Sequence, residues 1–209
     1  MNYIIAIVGA SGSGKTTISR AMAQAGIPDI VSYTTRSMRP GETQGIEHFF
    51  ISHQEAIDII ATKAIAAYTE FGGQMYFTTM DQLSAHPYCS YVIDEPGLQM
   101  LQSMLDTDEF EVIPVFVQRN ADDIRAQIGA DRIARDDNRA WFERNYYDIF
   151  VTNDAPDVHH LQEWAYRFAL ALLAVLPVRG RILRRCELHA SDSLISHIIN
   201  ILNNVKSAL

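Results

Sequence analysis

The polar and apolar positions of this chain change period several times, and each change marks an element. An unbroken apolar run at 3–8 and short segments with apolar centres at 29–32, 89–93, 111–117 and 148–152 are the candidate core strands of a parallel sheet. Between them the period lengthens towards 3.6, which predicts helices over 14–25, 96–105, 121–128, 137–146 and 156–176. In the last of these, Val158, Leu161, Ala165, Phe168 and Leu172 share one helical face, with Pro156 near the start and Pro177 at the end. Strand and helix in alternation specify an α/β chain, a three-layer parallel sheet with helices on both faces.

From 33 to 80 the pattern differs. Short alternating segments at 47–51, 66–70 and 75–77 surround one helix, for which Ser52-x-x-Glu55 is a capping box. A β-rich insertion of this kind predicts a separate flap for a second ligand. The expected organisation is a single domain with a core of 1–32, 81–119 and 141–177, an insertion of 33–80, a short lid of 120–140 and a C-terminal helical extension of 178–209. In the extension Arg179, Arg181, Arg184 and Arg185 form a basic cluster, and Leu194, Ile195, Ile198, Ile199, Ile201, Leu202 and Val205 form an apolar helical stripe. That stripe can pack on its own core, join two copies as a homodimer or meet an acidic surface, in that order of preference.

Composition narrows the partners. Lys and Arg number 17 against 25 Asp and Glu, a net charge of -8, which argues against a nucleic-acid partner because such a partner requires a basic face. With only Cys89 and Cys186 there is neither a disulfide framework nor zinc-ligand spacing, so both read as reduced thiols of a cytoplasmic protein. The longest apolar stretch, 168–176, falls far short of the roughly 20 residues that cross a bilayer, so no membrane association is expected. The apolar start lacks a basic n-region and reads as a strand, not a signal peptide.

That first strand delivers the chain into Gly9-Ala10-Ser11-Gly12-Ser13-Gly14-Lys15-Thr16, a complete G-x-x-x-x-G-K-[ST] phosphate loop opening a helix. Gly9, Gly12 and Gly14 let successive N–H groups turn inward at phosphate oxygens, with Ser11, Ser13 and Thr17 completing the cradle. Lys15 would reach the β- and γ-phosphates, and Thr16 would offer its hydroxyl to Mg²⁺. A nucleoside triphosphate, ATP by default, is the expected ligand.

The run Ser32-Tyr33-Thr34-Thr35-Arg36-Ser37-Met38-Arg39-Pro40-Gly41-Glu42 resembles the signature of the guanylate kinase family. The resemblance continues through Gly72-Gly73-Gln74-Met75-Tyr76, Ile93-Asp94 and Val151-Thr152-Asn153-Asp154, and covers roughly 3 to 170. It implies a P-loop NTPase fold in which ATP passes its γ-phosphoryl group to a nucleoside monophosphate, GMP or dGMP in the family. Arg36 and Arg39 are suited to holding a phosphate dianion by their guanidinium forks, although surface ion pairing is the alternative for loop arginines. By resemblance Tyr76 would donate to the same phosphate, Ser32 and Thr78 would stand beside the base, and Glu42 would orient the loop. Asp94 would face the acceptor and hold Mg²⁺ through water, a structural carboxylate being the alternative. Asn153 falls where the family meets the adenosine end of ATP. Arg132 and Arg135, ahead of Arg139, would bring lid cations to the γ-phosphate, unless this Arg stripe is an ordinary solvated face.

The chain also departs from the family. Ala67 occupies the place of a base-binding glutamate, Val92 that of an acidic residue, His48 that of a phosphate-binding tyrosine, and Phe77 that of a glycine. Glu70, three residues beyond Ala67 on a strand, faces the other way. The base end of the acceptor site is thus altered more than the phosphate end. A kinase of another nucleotide or of a small phosphorylated metabolite, and a non-catalytic binding module, remain alternatives.

Overall fold

The computed structural model describes residues 1–126, 143–179 and 186–191. In chain order the elements are β1 (Asn2–Val8), α1 (Lys15–Gln24), β2 (Tyr33–Thr34), β3 (Phe49–Phe50), α2 (His53–Thr62), β4 (Ile65–Phe71), β5 (Gln74–Thr79) and α3 (Met80–Ser84). Then come β6 (Tyr88–Val92), α4 (Glu95–Met104), β7 (Phe110–Gln118), α5 (Ala121–Arg125), a 3-10 turn (Arg144–Tyr146), β8 (Ile149–Thr152), α6 (Val158–Arg179) and β9 (Cys186–His189). Arg132, Arg135 and Arg139, most of the expected helix 137–146 and the apolar stripe of 194–205 lie outside the described residues.

Five strands form a parallel sheet in the order β6-β1-β7-β8-β9. Side chains alternate across it. Tyr3, Ile5 and Ile7 of β1 join Ile18 and Met22 of α1 and Leu161, Phe168 and Leu172 of α6 on one face. On the other, Ile4 packs with Cys89, Tyr91 and Leu101, while Ala6 and Val8 pack with Leu98 and Tyr147. Helices therefore cover both faces, and every βα turn of this sheet emerges at the same edge, where α/β folds bind ligands.

The second sheet, ordered β3-β2-β5-β4, is built from the insertion. β2 pairs antiparallel with β5, β5 with β4, and β2 runs parallel to β3. The capping box of α2 is formed: Ser52 Oγ accepts from the Glu55 N–H at 3.2 Å, and Glu55 Oε2 accepts from the Ser52 N–H at 2.8 Å.

Three expectations need correction. The segment 29–32 is not a core strand: Asp29 makes a single bridge to Ser90, and by Ser32 the backbone has turned to the other sheet, its carbonyl accepting from Phe49 N–H at 2.9 Å. Pro177 does not end the last helix, which continues to Arg179. A proline near a helix C-terminus removes one N–H, but its φ is already helical, so the last turn can form around it. The extension expected to be helical from 178 carries a strand at 186–189, β9, because the edge of β8 is open to pair with it, and α3 is too short to show a period. No helix among the described residues is long and apolar enough to cross a membrane.

Candidate functional site

The phosphate loop leaves β1 with Gly9 pressed against β7, where a Cβ would meet the carbonyl oxygen of Val117 at 2.2 Å. Only glycine fits that approach. Gly14 caps α1 with φ at +105°, and a Cβ there would stand 2.7 Å from Asn153 Nδ2. Lys15 Nζ donates to the carbonyls of Gly9 at 2.8 Å and Ala10 at 2.6 Å, so the ammonium lies across the mouth of the loop. Ser13 is buried, its N–H turned back to Ala10, and Thr16 is exposed on the first turn of α1.

Two neighbours at the same sheet edge complete this half of the site. Asn153, just past β8, donates from Nδ2 to the Ser13 carbonyl at 2.8 Å, so it braces the loop as well as bordering the cleft. Arg119, just past β7, directs Nη1 at the Gly12 carbonyl at 3.5 Å. A cleft of about 390 Å³ opens between Lys15, Thr16, Arg119, Asn153, Pro156 and Val158. No motif surrounds Arg119 in the sequence, although a cation at the carboxyl end of a parallel strand is a usable signal.

The second half lies on the insertion. Glu42 receives Arg36 in a two-pronged pair, Nη1 to Oε2 at 2.8 Å and Nη2 to Oε1 at 2.9 Å, and also accepts the Arg39 backbone N–H at 2.7 Å. The Arg36 hydrogen bonds hold the Glu42 carboxyl down to about 2, outweighing burial. For Arg36, burial works downward and Glu42 outweighs it, so the guanidinium stays charged. Its plane lies 5.3 Å from the Phe50 ring centre, and the Arg39 side chain remains largely exposed.

His48 links this cluster to the base end. Its Nδ1 lies 2.9 Å from Ser32 Oγ, and its ring meets Tyr76 and Phe50 edge-on at 5.9 and 5.7 Å. Burial, seconded by the Arg36 charge, lowers its pKa, which favours a neutral imidazole. Tyr76 pairs with Thr34 across β5 and β2. Thr78 is fully buried and donates to Gln82 Oε1 at 2.8 Å, while Gln82 Nε2 donates to the Val31 carbonyl at 2.7 Å. Ala67 is 1% exposed and packs with Ile4, Leu83 and Cys89, so no carboxylate stands there. Glu70 is exposed and accepts from Tyr68 at 3.4 Å, away from this cluster.

Polar contacts as well as the packing of β4 join the halves. Arg20 of α1 pairs with Glu47 of the insertion, and Thr69 of β4 donates from Oγ1 to Asp94 Oδ1 at 2.8 Å. The same Asp94 oxygen accepts the Gly97 N–H at 2.9 Å and caps α4. Because β6 lies beside β1, Asp94 emerges next to the phosphate loop, with Ile93 N–H bonded to the Ile7 carbonyl at 3.1 Å. Glu95 is buried and accepts from the Tyr147 hydroxyl at 3.2 Å.

Comparison with known proteins agrees with this geometry. A family profile described as guanylate kinase matches residues 1–163. The guanylate kinase of Rhizobium meliloti (strain 1021) is 33% identical over 174 residues, 74% of this chain and 76% of that one. The Sus scrofa guanylate kinase is 27% identical over 184 residues, 80% of this chain and 91% of that one. A crystal structure of guanylate kinase from Anaplasma phagocytophilum shares the fold, with a TM-score of 0.55 at 20% identity, covering 83% of this chain and 86% of that chain.

Proposed function

The chain belongs to the guanylate kinase family, and we propose on that premise that it transfers the γ-phosphoryl group of ATP to the phosphate of a nucleoside monophosphate, GMP first. The observation that carries the reading is the pairing of two anion sites, the phosphate loop on the core and the Arg36–Glu42 cluster on the insertion, tied by Thr69–Asp94. A binding module needs neither. The metabolite alternative is not favoured either, since the family match covers residues 1–163, both sites included.

In this reading an acceptor phosphate oxygen attacks the γ-phosphorus, the bond to the β-phosphate oxygen breaks, and ADP leaves. Such transfers are catalysed by positioning and charge neutralisation. Lys15 exchanges its two loop carbonyls for the β- and γ-phosphates, while loop N–H groups hold the chain of phosphates. Arg36, locked by Glu42, presents its charge to the acceptor phosphate together with Arg39 and Tyr76. His48 and Ser32 border the nucleoside, while the Thr78 hydroxyl, buried and given to Gln82, is not presented to it. Asn153 and Arg119 border the donor, and Arg132 and Arg135 supply lid charge.

Mg²⁺ fits the donor set. Among the described residues no cluster of three or more His, Cys, Asp or Glu could hold an ion by itself. The exposed Thr16 hydroxyl and the Asp94 carboxylate instead suit an ion carried mainly by phosphate oxygens and water. Bound there, Mg²⁺ would neutralise charge on the transferring group.

The test is ADP release from Mg²⁺-ATP across ribo- and deoxyribonucleoside monophosphates, with ribose 5-phosphate included. Turnover led by GMP or dGMP is expected. Turnover on ribose 5-phosphate alone, or on nothing in the panel, would overturn the reading.

A further inference from the structure

Residues 186–191 lie beyond the family-matched part of the chain, yet they hold Asp154, whose chain neighbours Asn153 and Ala155 line the donor cleft. β9 adds to β8 in parallel register from Ile149–Cys186 to Thr152–His189. The chain then turns, and the Ala190 N–H donates to the Thr152 carbonyl at 3.0 Å.

At that turn one carboxylate gathers three groups of the C-terminal segment. Asp154 Oδ1 accepts the Ser191 backbone N–H at 2.8 Å, and Oδ2 accepts the Ser191 hydroxyl at 2.8 Å and lies 2.9 Å from His189 Nδ1. Burial opposes ionisation of Asp154, and these partners outweigh it, so the group remains a carboxylate below its ordinary range. Asp154 stands between Asn153, which braces the phosphate loop, and Pro156 to Val158, which border the cleft.

A second contact joins the same strand to the chain entering β8. Glu187 pairs with Arg144 at 2.5 Å, and Arg144 lies over the Phe150 ring at 4.2 Å from its centre. Exposed ion pairs contribute little stability singly. Three bonds converging on one carboxylate, however, define where the loop that follows β8 can sit, and loops held by few contacts are otherwise the first parts of a fold to open.

We propose that the segment 186–191 belongs to the donor-nucleotide site, with Asp154 a positioning residue that His189 and Ser191 hold so that loop 153–158 is set for the bound nucleotide. The inference rests on the kinase reading above. It assigns to a strand outside the family-matched region a part in donor affinity and none in the acceptor site, because the carboxylate that His189 and Ser191 hold follows Asn153 of the donor cleft directly in the chain.

The experiment uses the full chain with His189→Ala, Ser191→Ala and both together. Binding of a fluorescent ATP analogue without acceptor is measured beside KM for ATP, KM for GMP, kcat and the thermal midpoint. In the double variant the analogue Kd and KM for ATP should rise about tenfold, the scale of one charge-assisted hydrogen bond, with KM for GMP and kcat within about twofold. Ser191→Thr keeps the hydroxyl and should restore ATP binding. If the double variant does not fold, Ser191→Ala against Ser191→Thr carries the comparison. A lowered thermal midpoint with unchanged ATP affinity would overturn the inference and leave β9 a purely structural strand. Failure of the unmodified protein to bind the analogue would overturn the kinase reading itself, and the inference with it.

Discussion

The side-chain amide of Asn153 donates to the carbonyl of Ser13 at 2.8 Å, joining the end of β8 to the turn that opens α1. Both groups are buried, so neither has water as a ready substitute. Asn153→Ala would strand the carbonyl, at a cost of about 1–3 kcal/mol. Urea unfolding should show that loss, and KM for ATP should rise with it. A stability change within about 0.5 kcal/mol would mean that the loop keeps its shape unaided.

The Arg36–Glu42 pair should matter more to the acceptor than to the donor. Glu42→Gln removes the charge that holds the guanidinium and the Arg39 N–H together, and KM for the monophosphate should rise roughly tenfold or more while KM for ATP changes little. Equal changes in both would contradict a dedicated acceptor role.

The same carboxyl sets a pH dependence. Its pKa is depressed to about 2 in the folded protein, from an ordinary value near 4.5. Its contribution to stability is therefore full above about 4.5 and is lost as pH falls through about 2. The stability gap between the unmodified protein and Glu42→Gln should narrow steadily below about pH 5 and stay flat above it. A gap independent of pH would show that the pair is not formed in solution.

Asp29 should act in the opposite sense. Its Oδ1 is buried without a hydrogen-bond partner beside the Ser19–Ser90 hydroxyl pair, and burial pushes its carboxyl up to about 6. A raised carboxyl favours the folded state below its unfolded pKa of 3.8, and that advantage is lost as pH rises through about 6. Relative to Asp29→Asn, the unmodified protein should lose on the order of 2 kcal/mol between about pH 4 and pH 7. Parallel stability curves for the two proteins would contradict the buried carboxyl.

What the sequence revealed follows from which interactions are local. Apolar segments and 3.6-residue spacing located β1, β7, β8, α1 and α6, because burial on two faces or one leaves a trace in the sequence. The segment 29–32, with only Ile30 and Val31 apolar, forms no core strand, since which sheet receives a segment depends on partners such as Phe49 and Ser90. α3 is too short for any period, though Thr79-x-x-Gln82 was a readable cap: Gln82 Oε1 accepts the Thr79 N–H at 3.1 Å. Thr69 with Asp94, Gln82 with Val31 and Arg119 with Gly12 meet across 25, 51 and 107 residues, so nothing beside them in the chain announces the contact.

Ala67 offers the sharpest test of the base end. It is 1% exposed in an apolar cluster with Ile4, Leu83 and Cys89, at the position where the family resemblance expects a base-binding glutamate. Ala67→Glu would bury a carboxylate, so without nucleotide the thermal midpoint should fall, by the equivalent of about 1–3 kcal/mol, and fall further at pH 8 than at pH 5 because burial disfavours the charged form. Guanine carries an N1–H and an amine that a carboxylate at this position could accept. Saturating GMP should therefore raise the variant's midpoint more than that of the unmodified protein, and turnover should shift towards GMP over other monophosphates. Hydrogen-bonded discrimination of that kind is large when the partner is buried, so the shift should be visible well above a twofold change. A variant that is destabilised but responds to GMP no more than its parent would place residue 67 in the core alone, with guanine read by other side chains of the insertion.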